Sequence, residues 1–213
     1  HPKADLPQAQ RVAKEAGAIH HVIYVNELDN EEMLNNPENR CYLCKKYLFQ
    51  NLLAFAAEKG IDTIMEGNNA DDLHVYRPGT KAVKELGVLS PLAELGITKA
   101  QVREIAADMG LSCASRPSSP CLATRLPYGT PISFELLERV DTGEQWMKEQ
   151  GFPIVRLRVH GDILRIEIEK ERFADFIAMS DQITAKMKEL GFAYITLDAE
   201  GFRSGSMDVH IVK

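Results

Sequence analysis

The hydrophobic pattern changes kind midway along this chain. Short β-branched runs alternating with helical periodicities give way, past a stretch rich in Ser, Pro, Gly and Arg at residues 111–131, to a strictly alternating hairpin pattern. In the first half, Leu6, Val12, Ala13 and Ala16 recur at helical spacing and Gly17 offers a left-handed cap. Residues 19–25 read as a short buried strand, and residues 42–59 as a helix with Leu48, Leu52, Phe55 and Ala56 on one face. Residues 62–66 make a second short strand ending at Gly67. Thr98 and Gln101 have the form of a capping box that opens a helix lined by Val102, Ile105, Ala106 and Met109 and stopped at Gly110. Strands separated by helices long enough for crossovers predict an α/β domain built on a parallel sheet. Such sheets place ligands at the carboxyl ends of their strands, so the loops after Val25 and Glu66 are the places to search.

The second half follows another rule. Leu136, Leu137, Val140 and Met147 predict a helix ended by Gly151. Val155, Leu157 and Val159 then alternate with Arg156, Arg158 and His160, His160-Gly161-Asp162 has turn chemistry, and Leu164, Ile166 and Ile168 alternate with Arg165, Glu167 and Glu169. That is a hairpin with one wet face. A long helix over residues 171–190 and strands near 193–197 and 207–212 complete a small α+β unit. The expected organisation is one domain over residues 1–129 and a second over 130–213.

At 213 residues and 45% hydrophobic content the chain can bury one good core or two small ones, and no run is long enough to span a membrane. A net charge of -6 argues against a protein held to nucleic acid by its overall field and favours a small-molecule partner. Four cysteines, two of them as Cys41-x-x-Cys44, are too few for a secreted scaffold and point to a reducing, cytoplasmic setting. The opening His1-Pro2-Lys3 carries no leader and no methionine, so an N-terminal part is expected to be missing.

Four constellations could carry chemistry. Gly67-Asn68-Asn69-Ala70-Asp71-Asp72, with Tyr76-Arg77-Pro78-Gly79 close behind, offers carboxylates and amides for Mg²⁺ and a nucleotide, and Arg77 for phosphate; the same residues also make ordinary turns. Cys41 and Cys44, flanked by Arg40, Lys45 and Lys46 at a helix start, suit metal ligation or redox chemistry, or else simple packing. Cys121 lies behind Pro120 in a loop with Arg116 and Arg125, which would favour a thiolate, whereas Cys113 has no such surroundings and reads as packing. Arg156 and Arg158 share a strand face as either an anion site or a solvated charge ladder. Glu144, Glu167 and Asp175 come from three separate elements whose spacing alone does not bring them together.

In order, Gly67-Asn68-Asn69-Ala70-Asp71-Asp72, Tyr76-Arg77-Pro78-Gly79, Ser90-Pro91-Leu92, Ile97-Thr98-Lys99, Val102-Arg103-Glu104, Ser119-Pro120-Cys121-Leu122-Ala123-Thr124-Arg125 and Pro127-Tyr128-Gly129 resemble one family across most of the chain. It is that of the ATP-dependent sacrificial sulfur transferases of the LarE type, within the PP-loop ATP pyrophosphatases related to NAD and GMP synthetases. The resemblance implies a Rossmann-like PP-loop domain followed by a smaller C-terminal one. The activity it implies is adenylation, with ATP and Mg²⁺, of a carboxylate of pyridinium-3,5-biscarboxylic acid mononucleotide, then replacement of AMP by sulfur, for the nickel-pincer cofactor of lactate racemase. It also implies a homo-oligomer.

By the same resemblance Cys121 matches the sulfur donor, which becomes dehydroalanine in single-cysteine members. Cys41 and Cys44 match an extra pair that, with Cys121, would hold a [4Fe-4S] cluster whose open iron carries a sulfide. Gly67, Asn69, Asp71, Asp72 and Arg77 match the nucleotide side, Arg156 and Arg158 a phosphate-binding pair, and Glu144, Glu167 and Asp175 an acidic divalent-cation cluster. The family's Ser-Gly-Gly-x-Asp-Ser phosphate loop is absent from this sequence. As written the chain is therefore not expected to turn over ATP, and a missing segment is favoured over a lost activity. The competing expectations are an amide or tRNA-thiolation ligase of the same superfamily and a non-catalytic iron-sulfur or adenylate-binding module.

Overall fold

The computed structural model describes residues 2–75 and 77–208. His1 and Tyr76 lie outside the described residues, as does most of the strand expected over 207–212. The architecture is α/β, with many helices and one small three-stranded mixed sheet. The chain divides into two compact units, one of residues Lys3–Ser119 and one that runs from Pro120 onward.

In the first unit the expected helices form. Helix α1 spans Asp5–Glu15 and α2 spans Arg40–Glu58, with Gly17 left-handed just past the end of α1. Helices α3 (Gly79–Glu85) and α4 (Pro91–Glu94) are short, and α5 spans Lys99–Asp108 behind the capping box of Thr98 and Gln101. Among the described residues the expected parallel sheet does not form. Residues 19–25 are in no strand, with Ile19 and Tyr24 87% and 89% exposed, and residues 62–66 contribute one isolated parallel bridge between Met65 and Leu89. A strand exists only through its ladder partners, and among the described residues these β-branched runs find too few. The buried cluster of this unit is correspondingly small: Phe49, Val83 and Val88, backed by Ile64 and Leu86.

The second unit has a true core. Helix α6 (Phe134–Glu149) is capped by Ser133, whose side chain accepts from the Leu136 amide. Strands β1 (Val155–His160) and β2 (Ile163–Ile168) pair antiparallel about the turn at Gly161-Asp162, and β3 (Tyr194–Leu197) adds parallel to β2. The single helix expected over 171–190 is broken at Met179 into α7 (Phe173–Ala178) and α8 (Ser180–Glu189). Val155, Leu157, Leu164, Ile166 and Ile168 pack with Val140 and Met147 of α6, Ile183 and Met187 of α8, and Phe152 and Phe176. Helix α6 lies so close that a Cβ on Gly143 would stand 2.6 Å from Leu157 Cδ1, which explains a glycine inside a helix.

The wet face expected of the hairpin is dry. Arg156, Arg158 and Glu167 are all buried. Thr124 and Ser206 bond to Arg158 and Glu167, and the Phe202 ring stacks on Arg156, so a second layer covers the charged face.

Candidate active site

The Cys121 loop is built on that charged face. Cys121 precedes a short 3-10 turn, Leu122–Arg125, whose Leu122 and following Leu126 sink into the core. Between them Arg125 is 1% exposed, the largest fully buried side chain of the described residues. Its Nε and Nη2 donate to Glu144 Oε1 and Oε2 at 2.7 and 2.8 Å, a two-pronged pair across α6. Glu144 Oε1 also accepts the Leu157 amide at 3.0 Å. The third nitrogen, Nη1, turns to the loop and donates to Pro120 O, Cys121 O and Thr124 Oγ1 at 3.3, 3.2 and 2.8 Å. Cys121 itself is half-buried and carries a free thiol.

A second arginine braces the same turn. Arg158 Nη1 donates to Thr124 O at 2.9 Å, while its Nε and Nη2 hold Glu167 Oε2 at 3.1 and 3.0 Å. The other Glu167 oxygen accepts from Ser206 Oγ at 2.6 Å and pairs with Arg165 at 3.1 Å, and Arg165 reaches on to Asp198. Burial pushes the pKa of Arg158 down, and its bond to Glu167 opposes that shift. Arg156 is lowered likewise by burial, reinforced by the neighbouring Arg125 charge. Arg156 Nη1 donates to Val155 O.

Measured against the expectations, the two hairpin arginines are brought together on one face, yet Arg158 is committed to Glu167 and Thr124. The acidic trio is not gathered. Glu144 and Glu167 are each paired with buried arginines, whereas Asp175 sits exposed on α7 in a pair with Arg172. Among the described residues no group of three or more His, Cys, Asp or Glu could hold a metal ion. This donor set therefore does not fit a divalent cation: Glu144 and Glu167 are each held in buried pairs with arginines, and Asp175 is exposed on α7. The electropositive surroundings expected for Cys121 also differ. Arg125 serves Glu144 and the loop oxygens, and Arg116 pairs with Asp5 at 2.5 Å.

In the first unit the residues expected on the nucleotide side make a tight turn. Asn69 caps the 3-10 turn Ala70–His74 in a reciprocal box with Asp72, Asp72 pairs with Arg77 at 2.9 Å, and Asp71 accepts the Lys99 amide at 2.9 Å. Gly67, just ahead of them, is conformationally ordinary and has open space around its Cα. Glu66 joins this loop to α2 and the Ser90 segment through Lys45 at 2.9 Å and Ser90 Oγ at 2.7 Å. Cys41 and Cys44 stand one turn apart in the first turns of α2, exposed and half-buried respectively. A pair of this spacing, next to Lys45 and Lys46, suits two thiolate positions of a cluster. Thr124, Ser206 and the pairing of Arg125 with Glu144 had no signal in the spacing, because their partners lie 19 or more residues away and meet only in the folded unit.

No family model matches the chain. Individual relatives do. An uncharacterized protein of Synechocystis is 39% identical over 98% of this chain and 79% of its own length. An uncharacterized protein of Methanocaldococcus jannaschii is 31% identical over 82% of the chain and 68% of its own length. The pyridinium-3,5-bisthiocarboxylic acid mononucleotide synthase of Lactiplantibacillus plantarum is 34% identical over 98% of the chain and 76% of its own length. At that identity and coverage, and with the motif order around the Cys121 loop, the chain belongs to the LarE family of pyridinium-3,5-bisthiocarboxylic acid mononucleotide synthases.

Proposed function

We propose that this protein is an enzyme that transfers sulfur to a carboxylate of pyridinium-3,5-biscarboxylic acid mononucleotide in the making of a nickel-pincer cofactor. The observation that carries the reading is the likeness to the Lactiplantibacillus synthase along nearly the whole chain. A carboxylate is a poor electrophile, so ATP is read as the activating co-substrate, with AMP as the group that sulfur displaces. The Rossmann-like PP-loop character of residues 1–129, with Gly67, Asn69, Asp71, Asp72 and Arg77 toward the nucleotide, belongs to the same reading.

Cys121 is the residue assigned to sulfur delivery. Its half-buried thiol stands on a loop whose backbone is held from below. Arg156 and Arg158 are assigned to the substrate phosphate side, Arg158 acting from within its pair with Glu167. Cys41, Cys44 and Cys121 are the ligands the resemblance assigns to a [4Fe-4S] cluster, and Cys41 with Cys44 fits two of those positions. When bound, such a cluster supplies an iron able to carry a sulfide. No helix among the described residues is long and apolar enough to cross a membrane, and a cytoplasmic homo-oligomer is the setting proposed.

The test uses protein made from its full coding sequence, prepared anaerobically and incubated with ATP, Mg²⁺ and the mononucleotide. Mass spectrometry should show a carboxylate oxygen replaced by sulfur, and Cys121→Ala should abolish that product. Conversion of Cys121 to dehydroalanine after one turnover identifies it as the donor. An intact Cys121 with iron and labile sulfide present identifies a cluster-borne sulfide. Unchanged sulfur transfer by Cys121→Ala would overturn the assignment.

A further inference from the structure

The peptide planes on either side of Cys121 are tied to one buried cation. Pro120 O and Cys121 O both accept from Arg125 Nη1, at 3.3 and 3.2 Å. The Cys121 carbonyl also accepts the Thr124 amide at 3.1 Å and the Thr124 hydroxyl at 2.7 Å, so three donors converge on one oxygen. Thr124 Oγ1 in turn receives Arg125 Nη1 at 2.8 Å. Two carbonyls flanking one Cα determine its φ and ψ, and with them the direction of the Cα–Cβ bond. Only the rotation of the thiol about that bond is left to vary.

The cation is itself immobile. Its other two nitrogens grip both oxygens of Glu144, which rises from α6 and also accepts the β1 amide of Leu157. A continuous chain of contacts runs from the helix and strand of the core, through Glu144 and Arg125, to the backbone of Cys121. Arg158, held by Glu167, grips the carbonyl of Thr124 from the same hairpin. A cysteine needed only for packing would bury its sulfur. Here the backbone is over-determined, while among the described residues the half-buried thiol makes no hydrogen bond that caps its own turn.

We propose that Arg125, anchored by Glu144 and assisted by Thr124, is the positioning residue that aims the Cys121 thiol, an inference that rests on Cys121 being the sulfur-handling residue of the proposed reaction. It holds whether the sulfur leaves from Cys121 or passes by it, since both need the sulfur at a defined place. A reacting atom displaced by about 1 Å costs on the order of 100-fold in rate.

Thr124→Val is the cleanest test. It keeps the shape of the side chain and the charged pair below, and removes only the hydroxyl that bridges Arg125 and the Cys121 carbonyl. The full protein is expected to keep its melting temperature within a few degrees, to lose about tenfold in kcat for thio product and to keep its KM. Alkylation of Cys121 by iodoacetamide, followed by peptide mass mapping, should become faster as the loosened thiol samples more approaches, while Cys113 reacts as before. Thr124→Ser should restore both. Arg125→Lys, which keeps a cation beside Glu144 but loses the fork and Nη1, should shift the two readouts in the same opposed directions. Wild-type kcat and wild-type alkylation in folded Thr124→Val would overturn the proposal, as would a parallel loss of activity and melting temperature that serine does not rescue. If the wild-type protein forms no thio product, the functional reading fails by itself. The ratio of Cys121 to Cys113 alkylation then still decides the positioning claim.

Discussion

The two units use charge and apolar surface in opposite ways. In the unit that begins at Pro120, fifteen residues form one buried cluster, and the charges of Arg125, Glu144, Arg158 and Glu167 are buried beside it in closed pairs. In Lys3–Ser119 the buried cluster holds three residues, the pairs such as Asp72 with Arg77 sit nearer the surface, and Ile19, Tyr24, Met65, Leu95 and Met109 are largely exposed. The difference follows from the sheets. A hairpin that pairs locally completes its own ladder and can be covered on both faces, whereas parallel strands need partners from distant segments. The loop that carries Cys121 is mounted on the unit with the closed core.

The sharpest way to break this contrast is to open one pair in each unit. Glu144→Ala leaves the Arg125 guanidinium buried without a counter-charge and should cost about 3–5 kcal/mol in denaturant unfolding followed by the single tryptophan, Trp146 of α6. Arg77→Ala removes a partner that is half exposed and should cost no more than about 1 kcal/mol. Equal costs would mean that the two units do not differ in the way their charges are held. Next in size is Gly143→Ala. The added methyl meets Leu157 at 2.6 Å against a packed core, so a loss of about 1–3 kcal/mol is expected, read by the same unfolding signal.

The smallest effect is a pH dependence confined to the hairpin. His160, at the exposed end of β1, has its pKa lowered first by partial burial of the ring and then by the charges of Arg165 and Arg158, against the pull of Glu167. The unfolded state therefore binds the extra proton more readily. The contribution of His160 is complete above the ordinary imidazole value near 6.5 and is lost as pH falls below it toward the lowered folded value. Thermal melts between pH 7.5 and 5 should show a slight decline that His160→Gln flattens. A decline of the same size in His160→Gln would assign it to other groups.

Much of the local structure was legible from residue periodicity. The helices at Asp5–Glu15, Arg40–Glu58, Lys99–Asp108 and Phe134–Glu149 and the hairpin about Gly161-Asp162 are governed by caps, stops and alternation, all of which act within a few residues. The break at Met179 was not legible, because the apolar spacing runs through it without interruption. The family was legible in the order of the motifs, and the likeness to the Lactiplantibacillus synthase agrees with that reading. The role of Arg125 depends on contacts beyond its own loop. From its position it is simply a positive charge near a thiol, while in the fold it is a brace shared between a carboxylate and two carbonyls.

By itself, then, the sequence determined most of the longer helices, the hairpin and the family, since these depend on short-range periodicity and on the order of motifs. Tertiary structure alone decided that the alternate face of the hairpin is dry, because an arginine at a strand position is solvated or buried according to what packs over it. It also decided that Glu144 and Glu167 face arginines, and that the β-branched runs of the first unit remain without a ladder. Each of those outcomes depends on a partner far away in the chain, which no local pattern encodes.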